Sequence, residues 1–455
     1  MNYTIKKSLL ANLLFCSAIF LRINSEITAN LAYLTLLITC FFGPRQIIIS
    51  LILIWVFSSL NSQIAPTASY ATIIRFVLFS IVFFLIYPFG QTRLWLNNKK
   101  LYINFFLFFF LIVIHSFLIS EIPDVSIFKA LNWFLYFFIL TICWSTISED
   151  EYLKLLKDIL IILLLIVTLS LFFLKTDIGF VKNTDSFQGI LNHPQLFGLV
   201  MGLTAIVILN LQELNFFSSK LSFFFLIITI YFLILSESRT AIFGFFGACI
   251  VFLFIKKNFN HKYKKYININ LFKICFVILI FLISLFLIYK LNKFFYIEFI
   301  DNIFTKSGRL INDTFLDTYL QTRGELIFTS YDNIYQKFWS GIGFGLASNP
   351  EQMMIIREEY FGIPFNAPVE KGNFLIAVLE ELGFFGLIFF IIFLLKCLNS
   401  ALASGSNFIS IFFIVLFFNL GESSFFSTAG TGGLLNIFFT MSIAYKNFNN
   451  GVNNK

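Results

Sequence analysis

Pro368-Val369-Glu370-Lys371-Gly372-Asn373-Phe374-Leu375-Ile376-Ala377-Val378-Leu379-Glu380-Glu381-Leu382-Gly383 is the stretch that decides the fold. Its first residues close a polar island running from Leu291 to Gly372, and the remainder re-enters an apolar run. Around that island the chain is written for lipid. Of its 455 residues 58% are hydrophobic, 67 are Phe and only 12% are charged, with a mean hydropathy of +0.87. A soluble fold needs more charge to cover its surface, so the sequence predicts an all-α, polytopic integral membrane protein. The apolar runs are continuous and not alternating, which excludes a strand barrel. A single large loop rich in Arg, Gly and Tyr marks a place where chemistry is done.

The apolar runs predict about twelve to fourteen transmembrane helices. They centre near residues 8–21, 29–42, 46–60, 72–87, 101–119, 128–146, 155–174, 193–211, 221–236, 240–255, 272–289, 373–395, 407–419 and 431–445. Lys6-Lys7 followed by Leu9 to Leu21 resembles a signal peptide, but no small-residue cleavage site follows, so a retained first helix is expected. With the N-terminus inside, the cytoplasmic side receives Lys6, Lys7, Arg45, Arg93, Lys99, Lys100, Lys220, Lys256, Lys257, Lys262, Lys264, Lys265, Lys396 and Lys446. The opposite short loops receive only Arg22, Lys175, Lys182 and Arg239. This asymmetry accounts for the net charge of +8 without nucleic acid. It also puts the island 291–372 outside the cytoplasm, with Asn192-His193-Pro194, Ser236-Glu237-Ser238-Arg239 and Gly421-Glu422-Ser423. Residues 1–184 read as N-terminal transmembrane helices, and 185–455 as the region carrying the site. No internal repeat or linker divides the chain, so one domain is the default. The six cysteines sit in or beside apolar runs without a Cys-x-x-Cys pair, and the three histidines are dispersed, so neither disulfides nor a metal site is expected.

Within the island, Ile327, Tyr331, Ile334 and Phe338 recur at helical spacing, with Arg323 one turn earlier. The glycines of Ser340-Gly341-Ile342-Gly343-Phe344-Gly345 stop that helix and permit close backbone approach to a ligand. Met353, Ile356 and Tyr360 predict a second short amphipathic helix, on the membrane or over the bundle.

Arg239 lies between two apolar runs of about sixteen residues each, roughly 24 Å of helix against a 30 Å hydrocarbon core. Its turn is therefore expected below the outer surface, where a guanidinium needs a partner or a wet cavity. It either snorkels with Glu237 as local partner or binds an anion, and a guanidinium fork suits phosphate oxygens. Arg309 and Arg323 could complete a diphosphate clamp or stand as solvated loop charges. For Glu370 two readings stand: a general base at a cavity rim, or a surface pair with Lys371 at the helix entrance. Glu380 or Glu381 is expected to pair with an Arg, while Gly383 and Gly386 permit close helix contact. His193, at a helix start with Pro194 in the first turn, is kept as site-lining beside Gln188 and Gly189.

In order, Phe187-Gln188-Gly189, Asn192-His193-Pro194-Gln195, Ser238-Arg239-Thr240, Thr322-Arg323-Gly324-Glu325, Gly341-Ile342-Gly343-Phe344-Gly345, and Asn373 with Glu381-Leu382-Gly383-Phe384-Phe385-Gly386 resemble the O-antigen ligase and O-antigen polymerase (Wzy-type) family of bacterial membrane glycosyltransferases. The resemblance covers roughly residues 185–390. It implies a GT-C-like helical fold in the inner (plasma) membrane, with the long loop periplasmic. It further implies glycan transfer from an undecaprenyl-type pyrophosphate carrier to an acceptor hydroxyl, in O-antigen, capsule or exopolysaccharide synthesis. No nucleotide sugar, metal or cofactor is implied, and the partners are the lipid-linked donor, a glycan or lipid-linked acceptor, membrane lipid and other polysaccharide-assembly proteins. Catalytic roles fall to Glu370 and Arg239, and substrate binding to Arg323, Arg309, His193, Lys371, Asn373, Gly343 and Gly345. The family's ligases typically carry a His-Asn pair where this chain has Gly372-Asn373, which leans the reading towards a polymerase. The alternatives are a ligase attaching glycan to lipid A–core, a lipid-linked-glycan flippase or transporter, and a non-catalytic assembly partner.

Overall fold

The computed structural model describes residues 2–181, 186–211, 218–259, 325–358, 362–367, 369, 371–404 and 406–444. Its elements are nearly all helical: α1 (Asn2–Asn24), α2 (Glu26–Cys40), α3 (Pro44–Ser59), α4 (Ala71–Leu118), α5 (Pro123–Thr146), α6 (Glu149–Leu171), α7 (Pro194–Leu211), α8 (Ser219–Leu235) and α9 (Arg239–Phe259). Beyond the island's beginning come α10 (Glu325–Gln336), the short strands β1 (Ile356–Arg357) and β2 (Pro364–Asn366), then α11 (Phe374–Ser404), α12 (Ser406–Gly421) and α13 (Gly430–Ala444). Leu101–Leu118, Pro123–Thr146, Pro194–Leu211 and Phe374–Ser404 are long and apolar enough to cross a membrane, and the remaining apolar helices are shorter. The chain is an all-α multi-pass membrane protein. The run expected at 272–289 lies outside the described residues.

The runs expected at 72–87 and 101–119 both fall within α4. Ring contacts show how the two parts run. Phe76 lies 5.1 Å from Phe128 and Phe83 lies 5.4 Å from Phe138, so the first part runs parallel to α5. Phe106 lies 5.9 Å from Phe138 and Phe109 lies 4.0 Å from Phe134, so the last part runs antiparallel. The chain thus reverses between them, as two separate spans require.

The chain forms two compact units: Met1–Ile159, Leu326–Phe408 and Asn419–Lys455 make one, and Leu160–Glu325 with Ile409–Phe418 the other. In the first, α4 and α5 pack together, and α11 and α13 pack against them and each other. Phenylalanine fills that core. Phe105 stacks on Phe137 at 4.6 Å, Phe108 on Phe393 at 5.7 Å, and Trp133 meets Phe426 edge-on at 5.0 Å. In the second unit α7 packs against α8 and α9. Its buried polar group Asn210 is satisfied by Ser410, whose Oγ accepts from Nδ2 at 3.0 Å.

The island departs from expectation at its second element. Met353 ends a 3-10 turn begun at Pro350, and Ile356 lies in β1, paired antiparallel with β2. Tyr360 lies outside the described residues. The reason is a main-chain turn, where Glu358 N–H donates to Ile363 O at 2.9 Å and Gly362 N–H to Glu358 O at 3.0 Å. Met353 and Ile355 then pack, at strand spacing, against the cluster of Val125, Ile342, Leu346 and Ala367.

Candidate functional site

Arg239 opens α9, and the turn before it belongs to the second unit. Ser236 and Ser238 are buried and Arg239 is half-buried. Glu237 takes a positive φ of 50°, unusual for a residue with a side chain, and its Oε2 accepts from Ser186 Oγ at 2.7 Å. Phe187 N–H donates to Leu235 O at 2.9 Å, so the Ser186–Gly189 segment caps the end of α8. Gly198 of α7 lets this turn approach closely, since a Cβ there would lie 2.5 Å from Ser236 Oγ. Gln188 is held by Ile178 O and Phe180 O. His193 is exposed and caps α7: its Nδ1 accepts from Gln195 N–H at 3.2 Å and its carbonyl from Phe197 N–H at 3.0 Å.

In the first unit the chain enters α11 through Asn373, whose Oδ1 accepts from Leu375 N–H at 2.9 Å as an N-cap. Two turns on, the helix breaks. Gly383 has φ 67° and ψ −173°. A break in an apolar helix leaves main-chain groups that lipid cannot satisfy, so other backbone must do it. Here the glycine-rich segment after α10 does so. Ile342 N–H donates to Glu380 O and Gly343 N–H to Glu381 O, both at 3.0 Å, and Phe384 N–H donates to Phe338 O at 2.8 Å. The approach is tight: a Cβ on Gly383 would lie 2.3 Å from Trp339 O, and one on Gly341 2.5 Å from Glu381 O. Room near Gly343 and Gly345 is taken by Ser120 and by the Lys129 side chain.

The two carboxylates at this break are buried, Glu380 wholly and Glu381 at 7% exposure. Among the described residues their partner is Lys371 and not an arginine: Nζ lies 2.9 Å from Glu380 Oε2 and 3.1 Å from Glu381 Oε1. Nζ and Glu380 Oε2 lack hydrogen-bond alignment, so Lys371 acts as a point charge. Lys371 is 5% exposed and turned inward, not at the surface, and Glu370, its expected partner, lies outside the described residues. The other carboxylate oxygens are bound: Asn333 Nδ2 donates to Glu380 Oε1 at 2.7 Å and Gly345 N–H to Glu381 Oε2 at 2.6 Å. Lys129 Nζ donates to Gly345 O at 2.5 Å, bringing a second cation to two carboxylates. His115 Nε2 pairs with Ser340 O. Ser423 N–H donates to Lys371 O at 3.1 Å.

Lys371, Gly343 and Gly345 thus meet around one break in α11, and Asn373 caps the entrance of the same helix. Arg239 and His193 belong to the other unit. Glu370, Arg309 and Arg323 lie outside the described residues. Lys129, His115 and Asn333 were not read from the sequence. The first two are over 200 residues from their partners, and no spacing rule joins such positions.

Residues 224–391 match the family model described as O-antigen ligase. Over that stretch the chain is similar to the O-antigen ligase family. The matched stretch runs from α8 through the Arg239 turn to the break in α11, whereas His115 and Lys129 reach that break from outside it. The chain matches none of the curated proteins.

Proposed function

We propose that the chain transfers an oligosaccharide from an undecaprenyl-type pyrophosphate carrier to an acceptor hydroxyl on the periplasmic face of a bacterial inner membrane. The observation that carries this reading is the family match, which takes in the Arg239 turn and the α11 break together. A diphosphate leaving group needs fixed positive charge that does not have to reorganise during reaction. Arg239 is the group assigned to it, half-buried at a helix start that adds its own positive potential. Arg323 and Arg309 are assigned to the same diphosphate. Glu370 is assigned as base for the acceptor hydroxyl. Lys371, held by two carboxylates, is a positioning residue that fixes the α11 entrance.

Chain polymerisation is the first reading, because Gly372 occupies the place of the family ligases' His. Attachment to lipid A–core is the second, favoured by the description of the matching family. Arg239→Ala should lower glycan transfer by about a hundredfold or more, with membrane insertion and protein level unchanged. Normal surface glycan from that variant would overturn the enzyme reading. Deletion of the gene separates the two reactions: single repeat units on lipid A–core mark a lost polymerase, and bare core with carrier-linked polymer marks a lost ligase.

A further inference from the structure

Arg22 and Arg75 both sit among apolar helices of the first unit, and the fold treats them differently. Arg22 is buried and fully engaged, with Nε and Nη2 donating to Phe57 O at 3.2 and 2.9 Å and Nη1 to Pro66 O at 2.6 Å. Arg75, in the second turn of α4, is partly buried and has no hydrogen bond or ion pair with any described residue. It lines a cleft of about 240 Å³, part of it open to the surroundings, with Trp55, Ser58, Tyr136, Thr428 and Ala429. No aspartate or glutamate lines that cleft. Among the described residues the ionisable groups that interact with the guanidinium are Tyr33 and Tyr136, which are neutral when protonated.

A guanidinium stays charged, and leaving it without acceptors among apolar helices is unfavourable. Its surroundings add positive potential. Arg75 stands near the N-terminal end of α4, and Thr428 and Ala429 lead directly into the N-terminus of α13, where first-turn N–H groups have no intrahelical acceptor. Two donors lining the cleft are occupied: Trp55 Nε1 donates to Gly430 O at 2.6 Å and Tyr136 OH to Gly433 O at 2.9 Å. These bonds fix the start of α13 against α3 and α5. The enclosed end has room for about one water-sized group, so a ligand enters by one oxygen-bearing end and not by a ring.

We propose that Arg75 and the turn leading into α13 form a binding site for a phosphate group. A guanidinium fork in a cleft it shares with the turn leading into a helix N-terminus suits phosphate oxygens in charge. The site uses none of the residues assigned to glycan transfer. The 421–430 segment nevertheless links it to them, since Ser423 of that segment bonds Lys371 O.

The test is native mass spectrometry of the delipidated full chain titrated with phosphatidylglycerol, with inorganic phosphate and with uncharged diacylglycerol. Phosphatidylglycerol should be retained and diacylglycerol should not. Arg75→Gln should weaken retention by roughly tenfold to a hundredfold, as loss of a hydrogen bond to a charged group does, and Arg75→Lys should weaken it less. Ser58→Leu, which fills the cleft and keeps the charge, should also abolish retention, and it decides the matter should Arg75→Gln fail to fold. Competition by inorganic phosphate would make free phosphate the ligand, whereas retention of the lipid without competition would make it a headgroup. Both outcomes support the site. Equal retention by the wild type, Arg75→Gln and Ser58→Leu would overturn it, leaving Arg75 a hydrated interfacial arginine.

Discussion

The turn before Arg239 and the break at Gly383 are both interruptions between apolar helical runs, and they handle charge in opposite ways. At the first, a hydroxyl from Ser186 and one main-chain bond from Phe187 close the turn, and the arginine remains half-buried. At the second, three main-chain bonds from 338–343 replace the lost helical ones, and two carboxylates are sealed against Lys371. A half-buried cation can still meet an anionic ligand. A sealed cluster spends its charges on one another and acts as framework. The difference is one of burial: Arg239 keeps some exposure, whereas Lys371 and its two carboxylates keep almost none.

The framework side should break hardest. Gly383→Ala combines a left-handed backbone with a collision against Trp339 O, so a loss of about 3 kcal/mol or more is expected. Unfolding in detergent followed by circular dichroism would register it, and an unchanged midpoint would show that the break can straighten. Lys371→Met should rank beside it, destabilising by about 3–5 kcal/mol because two buried carboxylates lose their cation. Adding Glu380→Gln to Lys371→Met should recover most of that loss; failure to recover would mean that Lys371 acts through packing and not through charge. On the binding side, Ser186→Ala removes one hydroxyl donor to the Glu237 carboxylate and should lower stability by about 1–3 kcal/mol, with transfer falling along with Arg239 placement. The smallest effect belongs to Lys337→Ala. That residue pairs with Glu121 at 2.5 Å where both are exposed, and such pairs contribute about 1 kcal/mol or less.

What could be read beforehand follows the range of each interaction. The apolar runs at 29–42, 46–60, 193–211 and 221–236 correspond to α2, α3, α7 and α8, because span length and hydropathy are local properties. Pro194 at the first position of α7 was legible for the same reason. Met353 and Ile356 misled because three apolar residues fit a helical period as readily as an irregular loop, and the bond between Glu358 and Ile363 has no compositional mark. The inward turn of Lys371 was hidden too. Nine residues separate it from Glu380, a spacing that opposes no two side chains on a helix, and the pair forms only because the chain enters α11 from the side. Asn333 on Glu380 and Lys129 on Gly345 depend on tertiary contact alone.

The bonding at Gly383 also constrains motion. Amides of Ile342 and Gly343 donate to the carbonyls of Glu380 and Glu381, so lifting 340–345 would break both main-chain bonds at once among apolar side chains. A segment fastened in that way behaves as a clasp and not as a flap. Its amides belong with the slowest-exchanging of the unit, and any opening motion must hinge on other parts of the chain.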